Sequence, residues 1–186
     1  METTKSIEII ERMLAESKKS LYNNSFYFLL WGALLVPAGI AEFLLQGTPY
    51  PWLPWPIIGI SGGIIAMVYG KRQGEKSGVG TAADRITWFT WGAFGFSLFF
   101  VIAFSAVNNM LPHTLILLLA GSATFISGGI SKFKPFIWGG IVLGLGAILC
   151  AFVIEPRYQS LTFSLFFFLG YVIPGIILRK EEHGNA

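Results

Sequence analysis

Glu42, His113, Glu155 and Arg157 are the side chains of this sequence best suited to chemistry. Each stands near the point where a long apolar stretch gives way to a short polar turn. A carboxylate beside an imidazole or a guanidinium can hold a proton, bind a polar solute or pair its own charge. Glu42 is the one acid inside an apolar stretch, and about 25 Å of helix separates it from Ser25 at the standard rise. An ionised carboxylate turned towards hydrocarbon carries a desolvation penalty that a partner or water removes. Glu42 is therefore expected within pairing distance of Arg157, with His113 as a further member of the cluster, or beside a water-filled vestibule. No other Asp, Glu, Lys or Arg falls at depth in an apolar stretch. That argues against transport coupled to protons or sodium through membrane carboxylates.

The remaining patterns carry less chemistry. Gly78-Val79-Gly80-Thr81-Ala82-Ala83 fits G-x-G-x-x-A, whose glycines let a loop approach a pyrophosphate. Here it follows an apolar stretch with no strand before it, and it reads as a flexible loop. Thr81 and Asp84 resemble a capping box with Asp in place of Glu or Gln, which starts a helix near Ala82. No group of His, Cys, Asp and Glu has metal-ligand spacing. No Ser–His–acid set is recognisable. Neither a cofactor, nor a metal, nor catalysis is expected. The single cysteine, Cys150, lies in an apolar run and reads as a small buried hydrophobe.

What must position these residues is a membrane bundle. Of 186 residues 54% are hydrophobic and 12% charged, against about 25% charged in a soluble domain. The net charge of +3 is too small and too dispersed for a nucleic-acid partner. Six apolar segments run over about 25–46, 55–70, 86–107, 111–130, 136–154 and 161–178. A span needs roughly 20 residues, so the second is slightly short. The linkers are short, which makes consecutive helices antiparallel neighbours. The expected fold is an all-α integral membrane protein of six transmembrane helices arranged as three helical hairpins.

Ahead of the bundle, residues 4–21 read as a cytosolic amphipathic helix with Ile7, Ile10, Met13, Leu14 and Leu21 at helical spacing. Such a helix lies on the membrane surface, or docks a soluble partner or a second copy. It is charged throughout, without the apolar core of a cleavable signal. The organisation is then a cytosolic helix over 1–22, a membrane domain over 23–180 and a short tail over 181–186. Twelve of the 13 Lys and Arg residues fall on one side of the six segments, leaving Arg157 on the other. The positive-inside rule puts the richer side, with both termini and the Lys71–Arg85 loop, in the cytoplasm.

Small residues and prolines suggest how the helices pack. Gly59 with Gly63, and Gly140 with Gly144, are GxxxG pairs expected to let helix backbones approach closely. Pro37 and Pro174 interrupt the hydrogen-bond ladders of the first and sixth segments and are expected to kink them. Four prolines between Gly47 and Pro56 predict an extended outer connection, with Tyr50, Trp52 and Trp55 at the headgroup level. Trp31-Gly32, Trp91-Gly92 and Trp138-Gly139 recur near the starts of the odd segments, the mark of a weak parallel repeat.

Several stretches resemble an uncharacterised family of small bacterial six-span membrane proteins. They are Asn24-Ser25-Phe26-Tyr27-Phe28-Leu29-Leu30-Trp31-Gly32, Ile126-Ser127-Gly128-Gly129 with Lys132-Phe133-Lys134-Pro135, and Gly170-Tyr171-Val172-Ile173-Pro174-Gly175. The resemblance implies the topology and a bacterial inner-membrane setting, and no site residues. The functional expectation is a non-enzymatic bundle in the lipid bilayer that acts through helix-mediated association, as a homo-oligomer or with a soluble partner held by residues 4–21. The alternative is a small transporter or channel for an uncharged, amphipathic or lipid-like solute.

Overall fold

The computed structural model describes residues 25–74 and 82–184. The amphipathic helix expected over 4–21, and Gly78, Gly80 and Thr81 of the polar loop, lie outside those ranges. Among the described residues there is no strand. The helices are α1 (Ser25–Leu44), α2 (Pro54–Gly74), α3 (Ala82–Asn108), α4 (His113–Ile130) and α5 (Lys134–Phe152). A short 3-10 turn (Pro156–Tyr158) leads into a last helix made of α6 (Gln159–Phe167), a π-helical turn (Phe168–Val172) and α7 (Ile173–Gly184). Five of these are long and apolar enough to cross a membrane: α1, α3 from Arg85, α4, α5 and the last helix.

The helices alternate in direction. Glu42 near the end of α1 meets Trp55 at the start of α2, and Phe26 near the start of α1 stacks on Tyr69 near the end of α2. Gly121 of α4 faces Gly140 of α5, while Gly128 faces Phe136. Gly139 of α5 faces Gly170, and Gly146 faces Phe166. Gly39 of α1 meets Ser160 of α6, and Leu29 of α1 meets Gly175 of α7. Consequently Lys71, Arg72, Arg85, Lys132, Lys134, Arg179 and Lys180 gather at one end of the bundle. Glu42, His113 and Arg157 lie at the far end.

The core is built by α1, α4, α5 and the last helix, with α4 on α5 the most extensive contact. α2 packs on α1 and α3 on α4, and the two barely meet. Consecutive helices are antiparallel, but the tightest pairing crosses from the second expected hairpin to the third. Glycine explains why. At Gly140 an added Cβ would lie 2.7 Å from the Gly121 carbonyl oxygen and from the Phe125 backbone nitrogen, so two backbones are in direct contact there, as small residues allow in lipid.

The GxxxG expectation holds only in part. Gly140 is such a contact, but Gly144 has open space where its side chain would be, and so do Gly59 and Gly63. On α2 the inward glycines are Gly62, seated on Trp31 and Leu34, and Gly70, against the Tyr27 hydroxyl. One position on a helix turns a side chain by about 100°, and spacing alone does not say which stripe faces inward. The Trp-Gly repeat also dissolves: Gly32 packs on Val172 and Gly139 on Gly170, whereas Gly92 faces open space.

The prolines behave differently from one another. The outer connection is a run of turns, and α2 already begins at Pro54, because the first turn of a helix needs no proline N–H. Pro37 lies inside a continuous α1. The irregularity near Pro174 is the π turn before it, where Ile173 N–H donates to Phe168 O.

A column of rings fills the bundle axis. Phe133 contacts Phe136 at 5.2 Å between centroids, Phe136 contacts Phe28 at 4.1 Å, and Phe28 contacts Tyr171 at 5.3 Å. The column continues through Phe167 at 5.1 Å and Phe163 at 4.4 Å. It ends at the far end on His113 and Trp55, 5.5 and 5.3 Å from Phe163. Offset and edge-on pairs of this kind add to area burial.

Candidate functional site

At the far end four elements converge on one carboxylate. Glu42 sits in the last turn of α1 and is 9% exposed. Trp55, in the first turn of α2, donates its indole N–H to Glu42 Oε2 at 2.9 Å. His113, the first residue of α4, places Nε2 2.8 Å from the same oxygen. Phe163 of α6 closes the group, its ring edge-on to both the indole and the imidazole. The indole N–H and the nearby imidazole nitrogen on one oxygen fit an ionised carboxylate facing the Nε2–H tautomer of His113.

His113 is 1% exposed, and its Nδ1 is buried with no hydrogen-bond partner in the protein. Ser105 Oγ and Ser160 Oγ are likewise buried and unpartnered. Ser105 lies in the last turn of α3 and Ser160 in the first turn of α6, so all three atoms belong to the far end. Buried polar atoms are rarely left bare. Their gathering at one end marks a polar layer there, above a column of rings.

The arrangement departs from the expected cluster. Glu42 and His113 are brought together; Arg157 and Glu155 are not part of the pair. Among the described residues no hydrogen bond or ion pair joins Arg157 to Glu42. Arg157 on the 3-10 turn and Glu155 just before it are exposed. The Arg157 guanidinium lies 5.8 Å from the centre of the neighbouring Tyr158 ring. Only its backbone takes part, its carbonyl accepting from Gln46 Nε2 at 2.8 Å. The physical reason is reach: the turn after Pro156 carries Arg157 outward, whereas the starts of α2 and α4 bring Trp55 and His113 inward onto α1. Trp55 was expected at the headgroup level; the signal that could have placed it is its position one residue after a helix-starting proline.

The same end is laced by further polar links. Ser164 donates to Val36 O at 2.9 Å, tying α6 to α1, and Gln159 Nε2 donates to Cys150 O at 3.0 Å, tying α6 to α5. No group of three or more metal-ligating side chains occurs among the described residues.

A second feature lies on the surface. Gly59 and Gly63 face outward on α2 beside exposed Ile60, Ile64 and Met67. Gly92 and Gly95 do the same on α3 beside exposed Phe96 and Phe99. Comparison with protein-family models, curated proteins and solved structures finds no match.

Proposed function

We propose that this protein is a six-span bacterial inner-membrane protein that acts without catalysis, by associating through its own helices. The observation that carries this reading is the outward stripe of Gly59, Gly63 and Met67 on α2. Most glycines of the inner helices sit at helix contacts, where they shorten the distance between backbones. A mid-helix glycine costs about 1 kcal/mol relative to alanine, and Gly59 and Gly63 recover none of this inside the chain. Small residues four apart mark close helix pairing in lipid. A stripe of this kind is complementary to itself about a two-fold axis, so the partner is α2 of a second copy.

α2 counts as the sixth span in this reading. Its apolar run over 55–70 makes about 24 Å of helix, a few ångströms short of a hydrocarbon core, a mismatch that local bilayer thinning and snorkelling of Lys71 and Arg72 accommodate. The basic end is cytoplasmic by the positive-inside rule, and the amphipathic sequence pattern over 4–21 is the second element we assign to association, with a soluble partner. Passage of an uncharged, amphipathic or lipid-like solute is the second reading. A shallow, open surface groove along the α4–α5 contact, lined by Leu118, Phe125, Ile126 and Ile141 with Gly140 and Gly144, is the surface such a solute would meet. The route would follow the bundle surface, because rings fill the axis.

The test is disulfide cross-linking of Met67→Cys in a Cys150→Ser background, in nanodiscs large enough for two copies. A cross-linked dimer that Gly59→Leu with Gly63→Leu abolishes, while helix content is kept, is the expected result. Absence of any dimer, or one indifferent to the double substitution, would overturn the reading.

A further inference from the structure

We propose that the Glu42–His113 pair is a proton-binding site, and that the proton it exchanges with water is taken up at His113 Nδ1. Three observations meet there. Glu42 is the one acid within the apolar spans, it is buried, and its Oε2 accepts from the Trp55 indole N–H and lies 2.8 Å from His113 Nε2. If Glu42 is ionised, the shared oxygen calls for a proton on His113 Nε2, which leaves the lone pair on Nδ1. Nδ1 in turn is buried and bonded to nothing in the protein.

The charge balance gives the direction. With Glu42 ionised and His113 neutral, the site holds a net charge of one electron in a low-dielectric layer. A hydronium ion gives its proton to the Nδ1 lone pair and leaves as water. The product is a carboxylate–imidazolium pair with no net charge, the form in which burial of ions is best compensated. The Phe163 and Trp55 rings flank the imidazole. Ser105 and Ser160, whose hydroxyls are also buried and unpartnered, lie at the same end of the bundle.

Other ionisable groups do not take this role. On α1 the only other is Tyr27, at the opposite end, and on α4 there is none. On α2, Tyr69, Lys71 and Arg72 lie about 21 Å or more along the helix from Trp55. On α3, Asp84 and Arg85 lie in the first turn, at the basic end. The last helix carries Tyr171 beyond two turns of rings, and Tyr171 is bonded to Thr124. α5 presents Cys150 to Gln159, and Glu155, Arg157 and Tyr158 are exposed at the turn.

The chain has two histidines, His113 and His183. A His183→Gln protein labelled with ¹⁵N-histidine, in nanodiscs, therefore reports a single imidazole. Its two nitrogen shifts are followed from about pH 9 to about pH 4, a range covering ordinary imidazole and carboxyl titration. Circular dichroism monitors folding. Nε2 is expected to be protonated throughout, and Nδ1 to gain its proton within the range while the protein stays folded. Glu42→Gln, or Glu42→Asp if the first does not fold, should weaken proton uptake at least about tenfold for Gln and less for Asp. An Nδ1 that never titrates, a proton found on Nδ1 with Nε2 bare, or an unchanged titration in Glu42→Gln would overturn the proposal.

Discussion

Alanine at Gly140 and at Gly63 should change stability in opposite directions. Both glycines are interior helix positions, so both gain about 1 kcal/mol of helix propensity on becoming alanine. At Gly63 nothing lies within 4 Å of the new methyl, and the gain stands alone. At Gly140 the methyl would lie 2.7 Å from the Gly121 carbonyl oxygen, from Phe125 Cβ and from the Phe125 nitrogen. Carbon atoms in ordinary contact sit about 3.5–4.0 Å apart, so α4 and α5 must separate by about 1 Å. Backbone atoms cannot rotate away as side-chain tips can. Overpacking of this kind costs about 1–3 kcal/mol, giving a net loss of roughly 1 kcal/mol and a difference between the variants of roughly 2 kcal/mol. Denaturant unfolding in mixed micelles, dilute enough to keep the protein monomeric, measures both. Gly140→Ala as stable as Gly63→Ala would refute the backbone contact between α4 and α5.

Three further substitutions probe single interactions in the same assay. Trp55→Phe removes the indole donor to the Glu42 carboxylate and should cost about 1.5–3 kcal/mol, the range for a hydrogen bond to a charged group; a neutral result would mean that Glu42 is satisfied without the indole. Ser164→Ala breaks the link to the Val36 carbonyl and should cost about 0.6–1.7 kcal/mol, as interhelical bonds do in membranes. Lys132 has a φ of 51° in the link between α4 and α5, so Lys132→Gly should stabilise by about 1 kcal/mol by removing left-handed strain, and a lower midpoint would contradict that.

How much of this was legible in the sequence depends on the kind of information each residue carries. Helix existence and alternation followed from long apolar runs and short links, and the gathering of basic residues at one end followed from their positions in those links. Glu42 stood out because an acid in an apolar stretch must find a partner. Its partner did not, because Arg157 and His113 are equally near the end of a span in sequence. What separates them is that His113 begins a helix packed against α1, whereas Arg157 rides on an outward turn. The glycine faces were illegible for a related reason. Gly59, Gly62 and Gly63 lie within two turns, and only the packing of Gly62 on Trp31 decides that the other two face outward. The column of rings from Phe133 to His113 left no trace in the sequence, since its members come from four helices and its order is set by their tilt.

α2 joins the two functional readings, and that leads to a last prediction. Trp55 and Gly59 are one turn apart on this helix, and Gly63 follows one turn later. The attachments of α2 to the bundle include Trp55 on Glu42 at the far end, Gly62 on Trp31 in the middle, and Tyr69 on Phe26 at the basic end. Proton uptake at His113 changes the charge beside the first attachment only, and thereby the hold on the turn that leads into the glycine stripe. If the stripe pairs two copies, the strength of that pairing should depend on pH. By linkage, dimerisation should then shift proton binding by the same factor. Trp55→Phe breaks the mechanical connection while leaving Glu42, His113 and the glycines in place, so its dimer should be insensitive to pH. Fluorescence energy transfer between pH-insensitive labels attached at Met67→Cys in a Cys150→Ser background, followed across pH with and without Trp55→Phe, measures both. A pH dependence equally strong without the indole would show that the signal does not travel through Trp55. A wild-type dimer indifferent to pH would separate the two sites altogether.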